Sequence, residues 1–215
     1  MHRSSHFFSI NRKSQLKYLL YEPEVNRKKK PLVLFLHGAG ERGDNLELIE
    51  RHGLPLLYKT TNFPFILIAP LCPKDKWWND EDLIEYLLNL IDNFKAKKNI
   101  DTKRIYVTGL SMGGYGTYNL ISKRPELFAA ALPICGKADL SSLSKAKLIP
   151  IWIFHGARDP IISVKHSIDA YELLNQFEES NARLTIYDDI GHDSWTKTYN
   201  NNEVLDWLLR QKNIN

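Results

Sequence analysis

Residues 109–113 read Gly-Leu-Ser-Met-Gly, so that Ser111 lies two positions from a glycine on either side. They follow the apolar, β-branched run 104–108 and open a segment, 115–126, whose composition suits a helix. A G-x-S-x-G pentapeptide between a strand and a helix holds its serine hydroxyl on a tight turn at the end of the strand. We therefore predict that Ser111 is a nucleophile; the alternative is an ordinary turn built from small residues.

A nucleophilic serine needs a general base within hydrogen-bond reach, and the base needs an acid that fixes its tautomer. His192 follows Gly191 after the last apolar run, and Asp159 ends the segment 155–159 after the preceding run. We predict His192 as the base and Asp159 as the acid, which gives the chain order Ser, Asp, His. Three carboxylates beside the base are alternatives for the acid, and their positions suit loops or helix caps: Asp188, Asp189 and Asp193.

The elements that would position these residues are short apolar runs that alternate with longer amphipathic segments. The apolar runs predict core strands at residues 32–36, 65–69, 105–108, 129–133, 151–154 and 184–187. The amphipathic segments predict helices at residues 80–94, 115–123, 164–178 and 203–211. Near-continuous apolarity indicates strands that are covered on both faces. The alternation predicts an α/β fold with a doubly wound, mostly parallel sheet and helices on both faces.

Residues 7–10 and 16–21 flank a polar turn at 11–14 and predict an antiparallel hairpin ahead of this pattern. In doubly wound sheets, ligands bind at the carboxyl ends of the strands. Polar or glycine-rich sequence follows predicted strands at four places: residues 37–40 (HGAG), the Ser111 turn, residues 155–159 and residues 190–193. His37 and His155 each follow a strand directly, and we predict that they order their loops.

Composition limits the classes of protein that this chain can belong to. The 215 residues are enough for one buried core, and we predict a single domain over residues 1–215. The formal net charge of +4 comes largely from the basic runs 27–30 and 95–98, whose polar surroundings favour solvated segments over a nucleic-acid surface. Neither glycine-rich loop fits a phosphate-binding pattern, which argues against nucleotide binding.

Cys72 and Cys135 lie far apart and lack the paired spacing of a zinc site, so we predict free thiols. No apolar stretch approaches the length of a membrane span, and the N-terminal residues lack the apolar core of a signal peptide. We therefore expect a cytoplasmic protein with neither a membrane nor a nucleic acid as its partner.

From residue 31 onward the chain resembles the α/β-hydrolase superfamily in four segments: LVLFLHGAGERGD, TGLSMGGYGTY, IFHGARDPII and GHDSW. It is most similar to the small, lidless branch of carboxylesterases, acyl-thioesterases, dienelactone-hydrolase relatives and predicted prolyl-oligopeptidase-like esterases. The resemblance implies an α/β-hydrolase fold and the roles of nucleophile, acid and base for Ser111, Asp159 and His192. It also implies an oxyanion hole formed by the backbone N–H groups of Met112 and Ala39, with Gly40 as the alternative to Ala39.

The surroundings of the predicted site bear on its substrate. The segment 136–149 is too short for a cap domain, which predicts an open site. Trp77 and Trp78 follow the second core strand at the same edge, and we predict that they wall a substrate pocket; the alternative is that they anchor their loop. We expect no metal and no organic cofactor, because the triad activates its own nucleophile. We expect a monomer or a weak homodimer.

The predicted function is that of a carboxylesterase, a serine hydrolase that cleaves small-molecule esters through an acyl-enzyme. Thioester, lactone or peptide hydrolysis by the same three residues is the alternative, and a non-catalytic binding member of the fold is a further one. Acyl-thioesterase-like relatives usually carry an HGxGD pattern and a glutamine after the serine. Glu41, Arg42 and Met112 depart from that pattern, which favours the ester.

Overall fold

Among the residues that the computed structural model describes, namely 2–11, 14–24, 29–97 and 99–213, eight strands form a single sheet. The strands are β1 His2–Asn11, β2 Ser14–Glu22, β3 Lys30–Leu36, β4 Ile66–Pro70, β5 Ile100–Leu110, β6 Ala130–Ile134, β7 Ile151–Gly156 and β8 Ala182–Tyr187. Their lateral order is β1-β2-β4-β3-β5-β6-β7-β8. β2 pairs antiparallel with both β1 and β4, whereas the other neighbours are parallel. The predicted sheet and the predicted N-terminal hairpin are both confirmed.

Helices cover both faces of this sheet, as predicted. The described part of the chain contains α1 Gly53–Leu57, α2 Glu81–Lys95, α3 Met112–Lys123, α4 Leu140–Leu143, α5 Lys165–Leu174, α6 Trp195–Tyr199 and α7 Asn202–Arg210. Side chains of α2, α3 and α5 belong to one buried cluster, and those of α1, α6 and α7 belong to a second. In β3, Leu34 and Leu36 lie in the first cluster and Phe35 lies in the second. Because successive side chains point to opposite faces and both faces are covered, the strand is apolar from Pro31 to Leu36.

The element boundaries differ from the predictions where no apolar pattern marks them. β5 begins at Ile100, because the pairing with β3 shifts between Lys30 and Leu32 and admits the polar residues 101–104. α1 and α6 were not predicted, since helices of five residues are too short to show a period. The predicted turn residues 12 and 13, the basic residues 27 and 28, and Lys98 lie outside the described residues.

The connection from β6 to β7 leaves the carboxyl edge of the sheet without a cap. Residues 135–150, all of which are described, contain only α4 and a 3-10 turn at Ser144–Ala146. This confirms the prediction made from the length of the segment. In the described ranges, none of the helices combines the length and the apolar character that are needed to cross a membrane.

Candidate active site

Ser111 lies on the turn between β5 and α3 with φ 54° and ψ −115°, a conformation that side-chain-bearing residues rarely adopt. The flanking glycines make this turn possible. A Cβ atom on Gly113 would lie 1.9 Å from the carbonyl oxygen of Leu36, and one on Gly109 would lie 2.4 Å from the carbonyl oxygen of Gly113. No side chain fits at either position. The pentapeptide therefore holds Ser111 on a strained turn against the neighbouring strand, as its spacing predicts.

Three side chains from separate loops form a continuous chain of hydrogen bonds at the carboxyl edge of the sheet. The Ser111 hydroxyl lies 3.0 Å from Nε2 of His192. Nδ1 of His192 lies 2.7 Å from Oδ2 of Asp159. With a neutral imidazole protonated on Nδ1, the ring donates to the carboxylate and accepts from the serine. This arrangement can take a proton from the hydroxyl as the oxygen attacks an electrophile.

The other carboxylates near His192 have different partners. Asp193 lies two residues before α6, and its Oδ1 accepts the N–H of Thr196 in the first turn of that helix at 3.0 Å. Asp189 pairs with Arg158 at 2.8 Å on the surface, where its side chain is 84% exposed. Asp188 is also exposed. Asp159 is therefore the carboxylate that the structure brings to His192.

Asp159 accepts hydrogen bonds from three groups besides His192. Its side chain has no exposed surface. Oδ1 accepts the N–H groups of Ile161 and Ile162 at 2.8 and 2.9 Å, while Oδ2 receives His192 and, at 3.1 Å, Nε2 of His155. Burial alone would raise the pKa of the Asp159 carboxyl, but the hydrogen bonds from His192 and the two N–H groups outweigh it and lower the pKa below its usual value. The carboxylate is thus charged and fixed in orientation.

His155 links this carboxylate to helix α5. Its ring is fully buried, and burial lowers its pKa. Nδ1 accepts the hydroxyl of Ser167 at 2.7 Å, and the Nε2–H is shared between the Ile162 carbonyl at 2.9 Å and Asp159. The expected role in ordering its loop is confirmed. The contact with Asp159 was not predicted, although the spacing of four residues across a tight turn is a signal that would suggest it.

The two backbone N–H groups that were predicted to form an oxyanion hole begin helical turns at neighbouring strand ends. Met112 is the first residue of α3, and Ala39 is the first residue of the 3-10 turn Ala39–Glu41. N–H groups at the first position of a helix have no acceptor within that helix. β3 and β5 pair in parallel with Leu36 opposite Gly109, which brings both helical turns to the same edge.

His37 orients the first of these loops through both of its ring nitrogens. Nδ1 donates to the Gly38 carbonyl at 2.6 Å, and Nε2 accepts the N–H of Cys72 at 2.9 Å. The Gly38 carbonyl and the Ala39 N–H belong to one planar peptide group, so the ring also fixes the direction of that N–H. His37 is 1% exposed, and burial lowers its pKa to about 4. The ring is therefore neutral in ordinary buffers, and the expected ordering of the loop is confirmed.

The prediction that Trp78 walls a substrate pocket is wrong. The ring is fully buried and its Nε1 donates to the His37 carbonyl at 3.0 Å. Its ring centroid lies 5.2 Å from that of His37 in an edge-on arrangement, and Gly116 of α3 leaves space for its Cβ. Trp78 therefore packs against the HGAG loop and bonds to it. This agrees with the alternative that the sequence left open, namely that the tryptophan anchors its loop. Adjacent aromatic residues in a loop carry no sequence signal that separates these roles.

Trp77 keeps much of its surface, since its side chain is 42% exposed. The Arg42 guanidinium lies 4.4 Å from the centre of the Trp77 ring. The same guanidinium donates to the carbonyls of Ala39 at 3.1 Å and Lys76 at 3.3 Å. Trp77 is thus joined to the HGAG loop and still has a face that a ligand can reach.

Trp195 escaped the sequence analysis, whereas Cys135 was predicted there only as a free thiol. The ring of Trp195 stands edge-on to that of His192, with the centroids 5.3 Å apart, so that it limits the base to few orientations. Cys135 is buried and has a positive φ of 41° directly after β6. Both cysteines are free, as predicted.

The thiol of Cys135, a carboxylate oxygen of Asp159 and a ring nitrogen of His192 all lie within 4.8 Å of one another. A metal would bind the thiolate rather than the thiol. Burial raises the pKa of Cys135 to about 12, so the thiol beside the hydrogen-bonded Asp159 and His192 is neutral.

Comparison with known proteins agrees with this geometry. Residues 78–202 match the family model described as phospholipase/carboxylesterase. The chain is 28% identical over 147 residues to a bifunctional acetylxylan esterase/xylanase of Neocallimastix patriciarum, a match that covers 67% of this chain and 21% of that protein. It is 47% identical over 117 residues to poly(3-hydroxyalkanoate) depolymerase C of Paucimonas lemoignei, covering 49% of this chain and 28% of that protein.

Among solved structures, a thermostable esterase superposes with a TM-score of 0.88 at 36% identity, over 98% of this chain and 63% of that one. The chain therefore spans less than two thirds of each of these three proteins.

Proposed function

Because the chain belongs to the phospholipase/carboxylesterase family, we propose that it hydrolyses carboxylic esters with Ser111 as the nucleophile, His192 as the base and Asp159 as the acid. The observation that carries this proposal is the hydrogen-bonded chain of these three side chains, at 3.0 and 2.7 Å. The strained φ of Ser111 supports it, since strain of this kind is concentrated at reactive positions.

In the first half of the proposed reaction, the Ser111 hydroxyl oxygen attacks the ester carbonyl carbon while its proton moves to Nε2 of His192. The buried Asp159 carboxylate stabilises the imidazolium that forms. The negative charge on the former carbonyl oxygen is bound by the N–H groups of Ala39 and Met112. The bond to the alcohol oxygen then breaks, and His192 returns its proton to that oxygen as the alcohol leaves.

In the second half, water takes the place of the alcohol. His192 accepts a proton from the water as its oxygen attacks the acyl carbon, and the bond to Ser111 breaks as the proton returns to the serine oxygen. The acid is released and the enzyme regains its starting state. Every step uses only the three side chains, the two backbone N–H groups and water, which is the reason for proposing a cofactor-independent reaction.

The proposed substrate is a small or partly accessible ester. The short connection between β6 and β7 leaves the site open, so a bulky alcohol can extend into solvent while the acyl carbon reaches Ser111. The related proteins act, by their names, on acetylxylan and on poly(3-hydroxyalkanoate). Trp77, with its exposed ring face beside the HGAG loop, remains the proposed aromatic contact.

The compartment, the oligomeric state and the partners of the protein can also be proposed. We propose a cytoplasmic monomer or weak homodimer that acts without a nucleic acid or a membrane. The two buried free thiols are compatible with a reducing compartment. Sedimentation at two protein concentrations would test the oligomeric state.

Stopped-flow hydrolysis of p-nitrophenyl acetate tests the acyl-enzyme directly. We expect a burst close to one equivalent of p-nitrophenol per chain wherever deacylation limits turnover. Ser111→Ala should abolish both the burst and turnover, and Ser5→Ala on the exposed face of β1 should change neither. Hydrolysis that persists in Ser111→Ala would refute the proposal. A strong preference for a matched thioester or amide would keep the nucleophile and change the bond.

A further inference from the structure

A groove with a volume of about 540 Å³ runs beside the proposed triad, along helix α3. We call it the α3 groove. Tyr115 and Asn119 of α3 line it together with Asn79, Lys137 and Asp139. Its volume falls within the range of about 300–1,000 Å³ that small-molecule sites occupy. None of these residues belongs to the proposed triad or to the predicted oxyanion hole.

The α3 groove begins within one helical turn of the nucleophile. The N–H of Tyr115 donates to the Ser111 carbonyl at 3.2 Å, so that Tyr115 lies in the turn that follows Ser111. A Cβ atom on Gly136 would lie 3.0 Å from the Tyr115 nitrogen, which shows that the backbone just before Lys137 packs against the same turn. The groove therefore begins close to the position of a carbon that reacts with Ser111.

The lining of the groove combines the polar side chains named above with the apolar Ala138 and Leu140. The Asn119 amide uses its nitrogen to donate to the Tyr115 carbonyl at 3.0 Å, which leaves the amide oxygen as an acceptor. Lys137 is exposed and forms no ion pair within the described residues, which leaves its ammonium as a donor. The Asp139 carboxylate accepts the Ser141 hydroxyl with both of its oxygens. Donors and acceptors are therefore present together, with one positive and one negative charge.

This lining selects among ester substrates. An alkyl chain would displace water from amide and ammonium groups without replacing their hydrogen bonds, which costs free energy. A strongly anionic group would meet a single ammonium beside a carboxylate. A hydroxyl both donates and accepts, so several hydroxyl groups match the mixed lining, and the Tyr115 ring offers a flat surface to the C–H face of a saturated ring.

We propose that the α3 groove binds a polyhydroxylated alcohol portion of the ester, such as a sugar ring; this rests on the proposed function. The acyl portion stays attached to Ser111 in the intermediate, whereas the alcohol has to leave before water attacks. Asn79 and Lys137, which line the groove, are exposed, so that an alcohol held there has a direct exit to solvent.

Two acetates of a primary alcohol on a six-membered ring separate the contribution of the hydroxyl groups. These probes are 6-O-acetylglucose and cyclohexylmethyl acetate. We expect the wild-type protein to prefer the sugar ester by about tenfold or more in kcat/KM, because several hydrogen bonds contribute roughly threefold to tenfold each. Asn119→Leu should reduce that preference roughly fivefold through a higher KM for the sugar ester alone, and Lys137→Met should act in the same direction.

Asn89→Leu is the matched control, because the Asn89 amide makes the same bond to the carbonyl four residues earlier, at 2.7 Å, on helix α2 outside the groove. We expect it to leave both esters unaffected. A wild-type preference for cyclohexylmethyl acetate, or an equal loss on both esters in Asn119→Leu, would overturn the α3 groove as a sugar site while leaving the esterase proposal intact. Failure of the wild-type protein to hydrolyse either ester would overturn both proposals.

Discussion

Two histidines follow strands on different sides of Ser111, and their surroundings differ in kind. His37 is 1% exposed, and both of its ring nitrogens bond to backbone groups. The His192 side chain is 22% exposed, and its nitrogens bond to a hydroxyl and a carboxylate. Backbone partners on both nitrogens hold the His37 ring in place, and the Glu41 carboxylate lies 3.8 Å from its Nδ1, beyond hydrogen-bond distance. The hydroxyl and the carboxylate that bond to His192 suit a ring that exchanges a proton. Burial and partners, rather than residue type, separate the two roles.

The comparison extends to the residues behind each ring. Trp78 packs against His37 and donates to its carbonyl. Buried packing therefore holds the loop that contains His37. Asp159 behind His192 is held by four donors, so that region is held by hydrogen bonds to a charge. We therefore expect changes near His37 to affect stability first and changes near His192 to affect activity first.

The largest expected effect is on catalysis, and it concerns His192. His192→Ala should lower kcat/KM for p-nitrophenyl acetate by about ten-thousand-fold, because Ser111 loses its base, while the melting temperature stays near that of the wild type. His37→Asn should lower it by about tenfold to a hundredfold, because the N–H of Ala39 loses its fixed direction. Equal losses of kcat/KM in the two variants would contradict the proposed difference between the surroundings of His192 and those of His37.

The second effect is on packing behind the buried histidine. Trp78→Ala should destabilise the protein by about 3–5 kcal/mol in urea unfolding, since a fully buried indole is removed. Trp77→Ala, which removes the exposed neighbouring ring, should cost about 1 kcal/mol or less. Similar costs for the two variants would show that the HGAG loop does not depend on buried packing.

The third effect is the pH dependence of stability. Burial lowers the pKa of His37 from 6.5 to about 4. Below pH 6.5 the unfolded chain binds a proton that the folded chain does not bind until about pH 4, so stability falls as pH drops through this window. Wild-type protein should lose roughly 3 kcal/mol more than His37→Asn between pH 7 and pH 4. Parallel losses, measured by urea unfolding at each pH, would contradict a buried neutral ring.

The smallest effect concerns the donor that His155 gives to Asp159. His155→Leu removes that donor, so the carboxylate holds the protonated His192 more strongly. The acid limb of the kcat/KM profile should move up by roughly half a pH unit. His166→Leu, at a half-buried position of α5, should leave the profile unchanged. If His155→Leu also left the profile unchanged, the role of His155 would be limited to ordering its loop.

Much of the fold followed from local sequence because the decisive signals are local. The run 32–36 predicts a strand covered on both faces, and β3 is one. The glycines around Ser111 predict a tight turn, and their missing side chains leave the space it needs. Ser111, Asp159 and His192 were predicted to follow strands at one edge of the sheet, and they follow β5, β7 and β8, although their chemistry remains the proposal.

What the sequence missed depends on contacts between distant segments. The burial of Trp78 is set by the fit of its indole against Gly116 and His37, which no local pattern encodes. The α3 groove exists because residues near 79, 115 and 137 meet only in the folded sheet. Short helices such as α6, which brings Trp195 to His192, are below the length at which a helical period can be recognised.

The central claim is that Ser111 is the nucleophile activated by His192, and labelling by a fluorophosphonate followed by intact-mass and peptide mass spectrometry tests it most directly. The account predicts one adduct per chain, on the peptide that contains Ser111, with no adduct in Ser111→Ala and much slower labelling in His192→Ala. Rapid stoichiometric labelling that persists in Ser111→Ala, or that maps to another residue of the wild-type protein, would contradict it.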